Sequence, residues 1–226
     1  MHTLKNLIDS SVGQKVIAGA TGLALVGFLV VHMAGNLQIF AGADALNGYA
    51  ALLKSQAIVL WSARLGLLGL IVLHVTMTIR QVVRNRGDNR KKYASTSYRR
   101  TTAASRSMMI TGTLLLLFIV FHLLHFTAGK ILPSAFEHID AEGRHDVFTM
   151  VVKGFRNPVI LLVYVVGMIA LSTHLHHAIS SVFQTLGLVK DGYDSRIRKL
   201  SPFVAAVIIF GFLAVPISVA SGLIGG

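Results

Sequence analysis

The chain has 226 residues, of which 54% are hydrophobic and only 13% charged, and its formal net charge is +12. A soluble domain usually has about a quarter of charged residues, so this composition argues against a water-soluble fold. The absence of cysteine excludes disulfides, cysteine-ligated iron–sulfur clusters and thiolate-ligated haem. Lysines and arginines lie between apolar runs, where membrane topology requires them, so we expect no nucleic-acid binding.

Five apolar runs are each long enough to cross roughly 30 Å of hydrocarbon as an α-helix. They cover about residues 16–40, 57–79, 107–129, 157–183 and 202–224, and they are called spans I to V below. Pro158 suits the first turn of span IV, because proline is tolerated there. No internal repeat is apparent. The sequence therefore predicts an all-α integral membrane bundle of five transmembrane helices, with residues 1–226 forming a single domain.

The loops between the spans differ in charge. Residues 80–106, after span II, hold nine basic residues against one acid, and the loop after span IV adds four basic residues. The loop between spans III and IV instead carries four acids that balance its bases. By the positive-inside rule the first two loops lie in the cytoplasm. The N-terminus is then expected to be cytoplasmic and the C-terminus to lie outside.

Histidine is frequent inside the predicted spans. Those within spans are His32, His74, His122, His125, His174 and His176. An ionisable side chain in hydrocarbon is costly and usually functional. A single such histidine is equally well explained by a hydrogen bond to a neighbouring helix. The presence of histidine in four successive spans favours a shared function.

The depths of four histidines sort them into two levels. At a rise of about 1.5 Å per residue, His32 and His122 lie about 21 to 22 Å from the cytoplasmic face. His74 and His174 lie about 24 Å from the outer face, and the levels are about 15 Å apart. Two histidines at one depth on different helices suit bis-imidazole ligation of a haem iron, whereas zinc or nickel needs three or four converging ligands.

Three further residues are candidates for the same site. His125 lies three residues after His122 on one helix face, so it is the alternative ligand of span III or a contact of a propionate or quinone. Arg64, towards the outer face, and Arg80, towards the cytoplasm, are candidate contacts of haem propionates. The competing explanation for each arginine is a side chain that snorkels to the interface.

An ordered set of residues runs through the first four spans. It consists of Ser11-Val12-Gly13-Gln14-Lys15, Thr21-Gly22-Leu23, Val31-His32-Met33-Ala34-Gly35-Asn36, Leu73-His74, Thr111-Gly112, Phe121-His122, Gly167 and Thr173-His174. Over nearly its whole length, the chain resembles the di-haem cytochrome b membrane-anchor subunit of succinate:quinone oxidoreductases and quinol:fumarate reductases. No single short motif is specific, whereas the ordered set is fairly specific.

The resemblance implies two b haems, a distal one held by His32 and His122 and a proximal one held by His74 and His174. It implies a flavoprotein subunit and an iron–sulfur subunit on the cytoplasmic side, which carry out the dicarboxylate chemistry. Electrons then pass through the haems to or from a membrane quinone, which we expect to be menaquinone. The implied location is a bacterial cytoplasmic membrane, and a higher oligomer of the complex is compatible with it.

Three other functions compete with this one. A haem-b subunit of another quinone-linked dehydrogenase or a hydrogenase would differ mainly in its soluble partner. A membrane transporter that uses the histidines would be colourless, and it is disfavoured because no Asp or Glu lies within the five spans. A purely structural anchor is disfavoured by the four depth-matched histidines.

Overall fold

The computed structural model describes residues 8–88, 103–185 and 195–225, and these residues are mainly helical. The α-helices are α1 (Ser11–Asn36), α2 (Ala43–Ser55), α3 (Ala57–Asp88), α4 (Ala103–His122), α5 (Pro133–Phe136), α6 (Val147–Arg156), α7 (Pro158–Thr185) and α8 (Ser195–Ala220). A 3₁₀ turn, Leu37–Ala41, continues α1, and a π turn, Leu123–Thr127, continues α4. Within these residues there is no β-strand, so the all-α class is confirmed.

Five helical segments are long and apolar enough to cross a membrane, as the sequence predicted. They are Ser11–Ala41, Ala57–Arg84, Ser107–Thr127, Pro158–Phe183 and Leu200–Ala220. The first four agree with the predicted spans to within about five residues. Span V was predicted to run to residue 224, but the helix ends at Ala220. Gly222 and Gly225 follow it with φ of 78° and 75°, a left-handed conformation that terminates helices.

Side-chain caps fix where several helices begin. Ser10, Asp146 and Asn157 each accept a hydrogen bond of 3.0 Å from a backbone N–H group in the first turn that follows. Such a cap stabilises a helix by about 1 kcal/mol, because the first-turn N–H groups have no partner within the helix. Pro158 directly follows Asn157 and needs no such partner, which explains the start of α7 at the predicted residue.

The two ends of the bundle can be told apart by their contacts. Asp9, just before α1, forms an ion pair with Arg80 at 3.7 Å, and its carbonyl accepts from Arg84 Nη1 at 2.8 Å. The end of α3 therefore lies beside the start of α1, and we call this end the N-terminal face. The opposite end, which carries α2, α5 and α6, is the C-terminal face. The basic loop residues 89–102 and the residues 186–194 lie outside the described part, so the membrane orientation stays a prediction.

A buried polar network joins α2 to the start of α6 and to the segment before it. The sequence predicted neither of these two helices. The Asn47 side chain is 2% exposed; it donates to Asp140 at 3.1 Å and Asp146 at 3.0 Å, and it accepts from Phe148 N at 2.9 Å. Arg144 adds an ion pair to Asp140 at 2.8 Å. Burial alone would raise the pKa of Asp140, but hydrogen bonds from Arg144 and Asn47 outweigh it and lower that pKa. The network therefore holds α2 against the segment before α6 at the C-terminal face.

His145, beside this network, gives the fold a predicted pH dependence. Burial, and then the nearby Lys54 ammonium, lower the pKa of His145 below its ordinary 6.5. The unfolded chain therefore takes up this proton at higher pH than the folded chain, so the stability is fully present above pH 6.5 and is lost as the pH falls below it. We expect the melting temperature in detergent to fall from pH 7 to pH 5, and His145→Gln to reduce that fall. The exposed His176, changed to Gln, is the control; equal slopes in all three proteins would contradict the prediction.

Candidate functional site

The four histidines that were paired by depth lie together in the same two pairs. The ring centroids of His32 and His122 are 5.8 Å apart, and those of His74 and His174 are 6.5 Å apart. Two imidazoles that share a metal ion have centroids about 6 Å apart, because each metal–nitrogen bond is about 2 Å and each nitrogen lies about 1 Å from its ring centroid. Both separations therefore fit two ligands of one metal ion.

Each histidine pair comes from two helices that do not pack directly on each other. In the described residues α1 packs closely on α3, and α4 packs closely on α7. The pairs, however, join α1 to α4 and α3 to α7, and neither of these combinations is among the closely packed helix pairs of this part of the chain. Direct packing would bring helix axes to about 8–10 Å. A flat macrocycle between two imidazoles requires that the helices carrying them are not packed directly on each other, and the described residues meet this condition.

Hydrogen bonds determine which nitrogen of His74 is protonated. Its Nδ1 lies 3.0 Å from the carbonyl oxygen of Ala18 and 3.2 Å from Oγ1 of Thr21. A carbonyl can only accept, so Nδ1 carries the proton and donates it, which leaves the lone pair on Nε2. Within the described chain Nε2 makes no hydrogen bond. Histidines that bind a metal ion commonly donate through one ring nitrogen and keep the other free, so this arrangement is compatible with a ligand role.

His174 has the same arrangement on α7. Its Nδ1 lies 3.3 Å from Oγ1 of Thr111. That hydroxyl has one hydrogen, which it donates to the backbone carbonyl of Ser107 at 3.1 Å or of Met108 at 3.2 Å. The oxygen of Thr111 therefore accepts from Nδ1–H of His174, and Nε2 is again the nitrogen with the lone pair.

The two threonines belong to an internal repeat, and the expectation that the chain has none was wrong. Residues 21–32 and 111–122 are identical at six of twelve positions, with Thr-Gly at the start and His at the end. In each copy the glycine also faces the histidine that the threonine holds. A Cβ would lie 3.3 Å from the Cε1 of that histidine at Gly22, and 3.6 Å from it at Gly112. The recurring Thr-Gly-x9-His pattern is the sequence signal that identifies these residues.

Tyr164 of α7 connects the two histidines at the end of α4. Its hydroxyl oxygen lies 3.1 Å from Nδ1 of His122 and 3.1 Å from Nδ1 of His125. Sequence analysis did not identify this residue, because a tyrosine within an apolar span resembles ordinary core. The contact joins residues 39 and 42 positions apart, so it depends on how α4 and α7 pack.

The geometry favours His122 over His125 as the ligand of span III. The ring of His122 faces His32, whereas His125 lies in the wider π turn and is 2% exposed. Nε2 of His125 points at Gly154 of α6, where a Cβ would lie 3.1 Å from it. The backbone of α6 therefore occupies the space that a macrocycle on this nitrogen would need.

The two candidate arginines lie in different surroundings. The Arg64 guanidinium lies over the Trp61 ring, 5.1 Å from its centroid, and the side chain is exposed. Arg80 pairs with Asp9 on the N-terminal face. Since neither contact involves the histidine pairs, a role for these arginines in binding propionates stays a prediction.

The two histidine pairs do not belong to a larger metal-binding cluster in the described residues. In the ranges that the structure describes, no three His, Asp or Glu side chains come together in a way that could hold a metal ion.

Comparisons of the chain with protein-family models, with curated proteins and with solved structures found no match.

Proposed function

We propose that this chain is the membrane subunit of a succinate:quinone oxidoreductase or quinol:fumarate reductase, and that it holds two b haems that carry electrons across the membrane. The observation that supports this most strongly is the arrangement of His32 with His122 and of His74 with His174. Each pair has the separation of two ligands on one metal ion, and His74, His174 and His122 have Nδ1 in a hydrogen bond.

The two pairs lie at different levels of the bundle. Thr111 of α4 lies beside His174 of α7. His122 is eleven residues after Thr111 on α4, which corresponds to a rise of roughly 16 Å. His32 and His122 would hold the haem nearer the C-terminal face, and His74 and His174 the haem nearer the N-terminal face. A bound haem supplies one-electron redox chemistry. The chain itself contributes the ligands, their orientation and an apolar surrounding.

Two observations support the proposal of soluble partner subunits: the groups that the chain lacks, and its resemblance to the membrane-anchor family. It has no cysteine for an iron–sulfur cluster and no dinucleotide-binding fingerprint, so oxidation of succinate belongs to a flavoprotein and an iron–sulfur subunit. These subunits would dock on the N-terminal face, which is next to the basic loops and is proposed to be cytoplasmic. Complementary charge on the partners would speed their association. A quinone, proposed to be menaquinone, would react near the pair at the other face.

A reduced-minus-oxidised optical spectrum of the purified protein, with haem extracted and quantified as the pyridine haemochrome, tests the proposal. Two haems b per chain are expected. A colourless protein without haem would overturn the proposal and favour a transporter. The soluble partner is tested on the intact complex: succinate should reduce the haems, whereas reduction by formate or hydrogen alone would assign the chain to another dehydrogenase or a hydrogenase.

A further inference from the structure

Tyr164 is held rigidly in the core next to the candidate ligand His122. The tyrosine is 6% exposed. The rings of Phe118 and Phe155 pack edge-on against it, with centroid distances of 5.2 Å and 4.9 Å and interplanar angles of 86° and 90°. Edge-to-face contacts of this kind restrict how the tyrosine ring can lie. The hydroxyl is therefore fixed between the two histidine nitrogens that it contacts.

The hydrogen atoms in this group can be assigned from the number of donors. Tyr164 has one hydroxyl hydrogen, and it faces Nδ1 of His122 and Nδ1 of His125. A histidine that binds a metal through Nε2 carries its proton on Nδ1, so His122 donates to the phenol oxygen. The phenol then donates its own hydrogen to Nδ1 of His125. The proton of His125 must lie on Nε2.

A proton on Nε2 of His125 lowers the stability of the fold. Its ring stacks on Phe126 with a centroid distance of 4.0 Å, and its Nε2 is buried without a hydrogen-bond partner in the described residues. An unpaired buried donor typically costs about 1–3 kcal/mol. Buried polar groups without partners are rare, and each calls for an explanation. Holding the phenol hydrogen away from His122 is a function that would justify this cost.

We infer that Tyr164, anchored by His125, is a positioning residue that orients His122 towards its haem and lowers the redox potential of that haem. This inference rests on the proposed function. A hydrogen bond from Nδ1–H to an oxygen raises the electron density on Nε2 and so stabilises ferric iron. A phenol that donates its own hydrogen is a better acceptor, because hydrogen bonds in a chain polarise one another.

The other histidine pair provides an independent comparison. His174 donates to the hydroxyl of Thr111. Among the described residues, no hydrogen bond or ring contact joins Tyr164 to His74 or His174. The two haems therefore have different hydrogen-bond acceptors behind their ligands, and each acceptor can be removed separately. Tyr49 provides a matched control, because it lies against Gly35 and no hydrogen bond or ring contact to the four paired histidines is present in the described residues.

The experiment uses the intact complex and four variants: Tyr164→Phe, His125→Phe, Thr111→Val and Tyr49→Phe. Haem content is measured first, and a potentiometric titration followed by the optical spectrum then gives the potential of each haem. Tyr164→Phe should raise the potential of the haem that His122→Ala removes and leave the other unchanged. His125→Phe should shift the same haem upward by less, Thr111→Val should shift only the other haem, and Tyr49→Phe should shift neither.

The possible outcomes separate this inference from the proposed function. A native protein without haem would overturn the proposed function and the inference together. Two haems with unchanged potentials in Tyr164→Phe would overturn the inference and leave the proposed function intact. Selective loss of the haem bound by His122 from Tyr164→Phe, with both haems retained in Tyr49→Phe, would support the positioning role, because a ligand that is no longer held would release its iron.

Discussion

Replacing His74 by alanine is expected to remove one of two haems, and replacing His174 by alanine is expected to remove the same one. The two side chains face each other across one gap, and a bis-imidazole site that loses either ligand no longer binds its iron firmly. His32→Ala and His122→Ala should both remove the other haem. The measurement is haem per chain by pyridine haemochrome, together with the optical band that disappears.

Double variants make this test of the pairing stricter. The double variant His74→Ala/His174→Ala should retain one haem per chain, as each single variant does, whereas His32→Ala/His74→Ala should retain none. His176→Ala is the matched control, because this exposed histidine lies on the same helix two residues from His174. If single variants within one pair removed different haems, the pairing would be wrong even though the protein binds haem.

Asn47→Leu is expected to lower the free energy of unfolding by about 3 kcal/mol, since it removes three hydrogen bonds of a side chain that is 2% exposed. The substitution leaves the carboxylates of Asp140 and Asp146 without the amide donor and leaves the Phe148 N–H without an acceptor. Leucine has the same number of side-chain heavy atoms as asparagine and the same branch point, so the substitution leaves no cavity and the loss comes from the unpaired polar groups. Thermal unfolding of the detergent-solubilised protein measures it.

The control for this prediction is Asp44→Asn, at the rim of the same network. Asp44 pairs with Arg144 at 2.9 Å, but its side chain is 90% exposed. An exposed ion pair contributes at most about 1 kcal/mol, so this variant should unfold close to the native protein. Equal melting temperatures for Asn47→Leu and the native protein would show that the network does not hold α2 to the C-terminal face.

The five spans and the pairing of the histidines could be predicted because they depend on local properties. A run of apolar residues fixes the length of a helix, and a constant rise per residue converts the position of His32 or His174 into a depth. Matching depths then limit which histidines can meet. The structure adds the lateral arrangement, with pairs that join α1 to α4 and α3 to α7.

The helices outside the spans and the role of Tyr164 could not be predicted in the same way. The helix α2 is short, and its position depends on Asn47, whose partners lie 93 to 101 residues away. The contacts of Tyr164 likewise exist only once α7 has packed on α4. The distinction between His122 and His125 depended on the π turn, which no pattern of hydrophobic residues indicates.

The internal repeat was visible in the sequence, but a scan of hydropathy does not detect it. All spans have similar composition, so the two copies do not stand out from the other apolar runs. The signal lies in the few non-aliphatic positions, in which Thr21 and Thr111 each precede a histidine by eleven residues. The resemblance of the two segments extends beyond their sequence, because each threonine forms a hydrogen bond with Nδ1 of a histidine on another helix.

The repeat has a consequence for the symmetry of the bundle. His32 and His122 occupy equivalent positions in the two copies, and His74 and His174 are held by equivalent threonines. Each pair is thus formed by one residue and its own counterpart, as in the isologous interface of a twofold dimer. The first four spans thus resemble two protomers joined in one chain, each built around a closely packed helix pair, α1 with α3 and α4 with α7. A metal bound by either pair would cross-link the protomers.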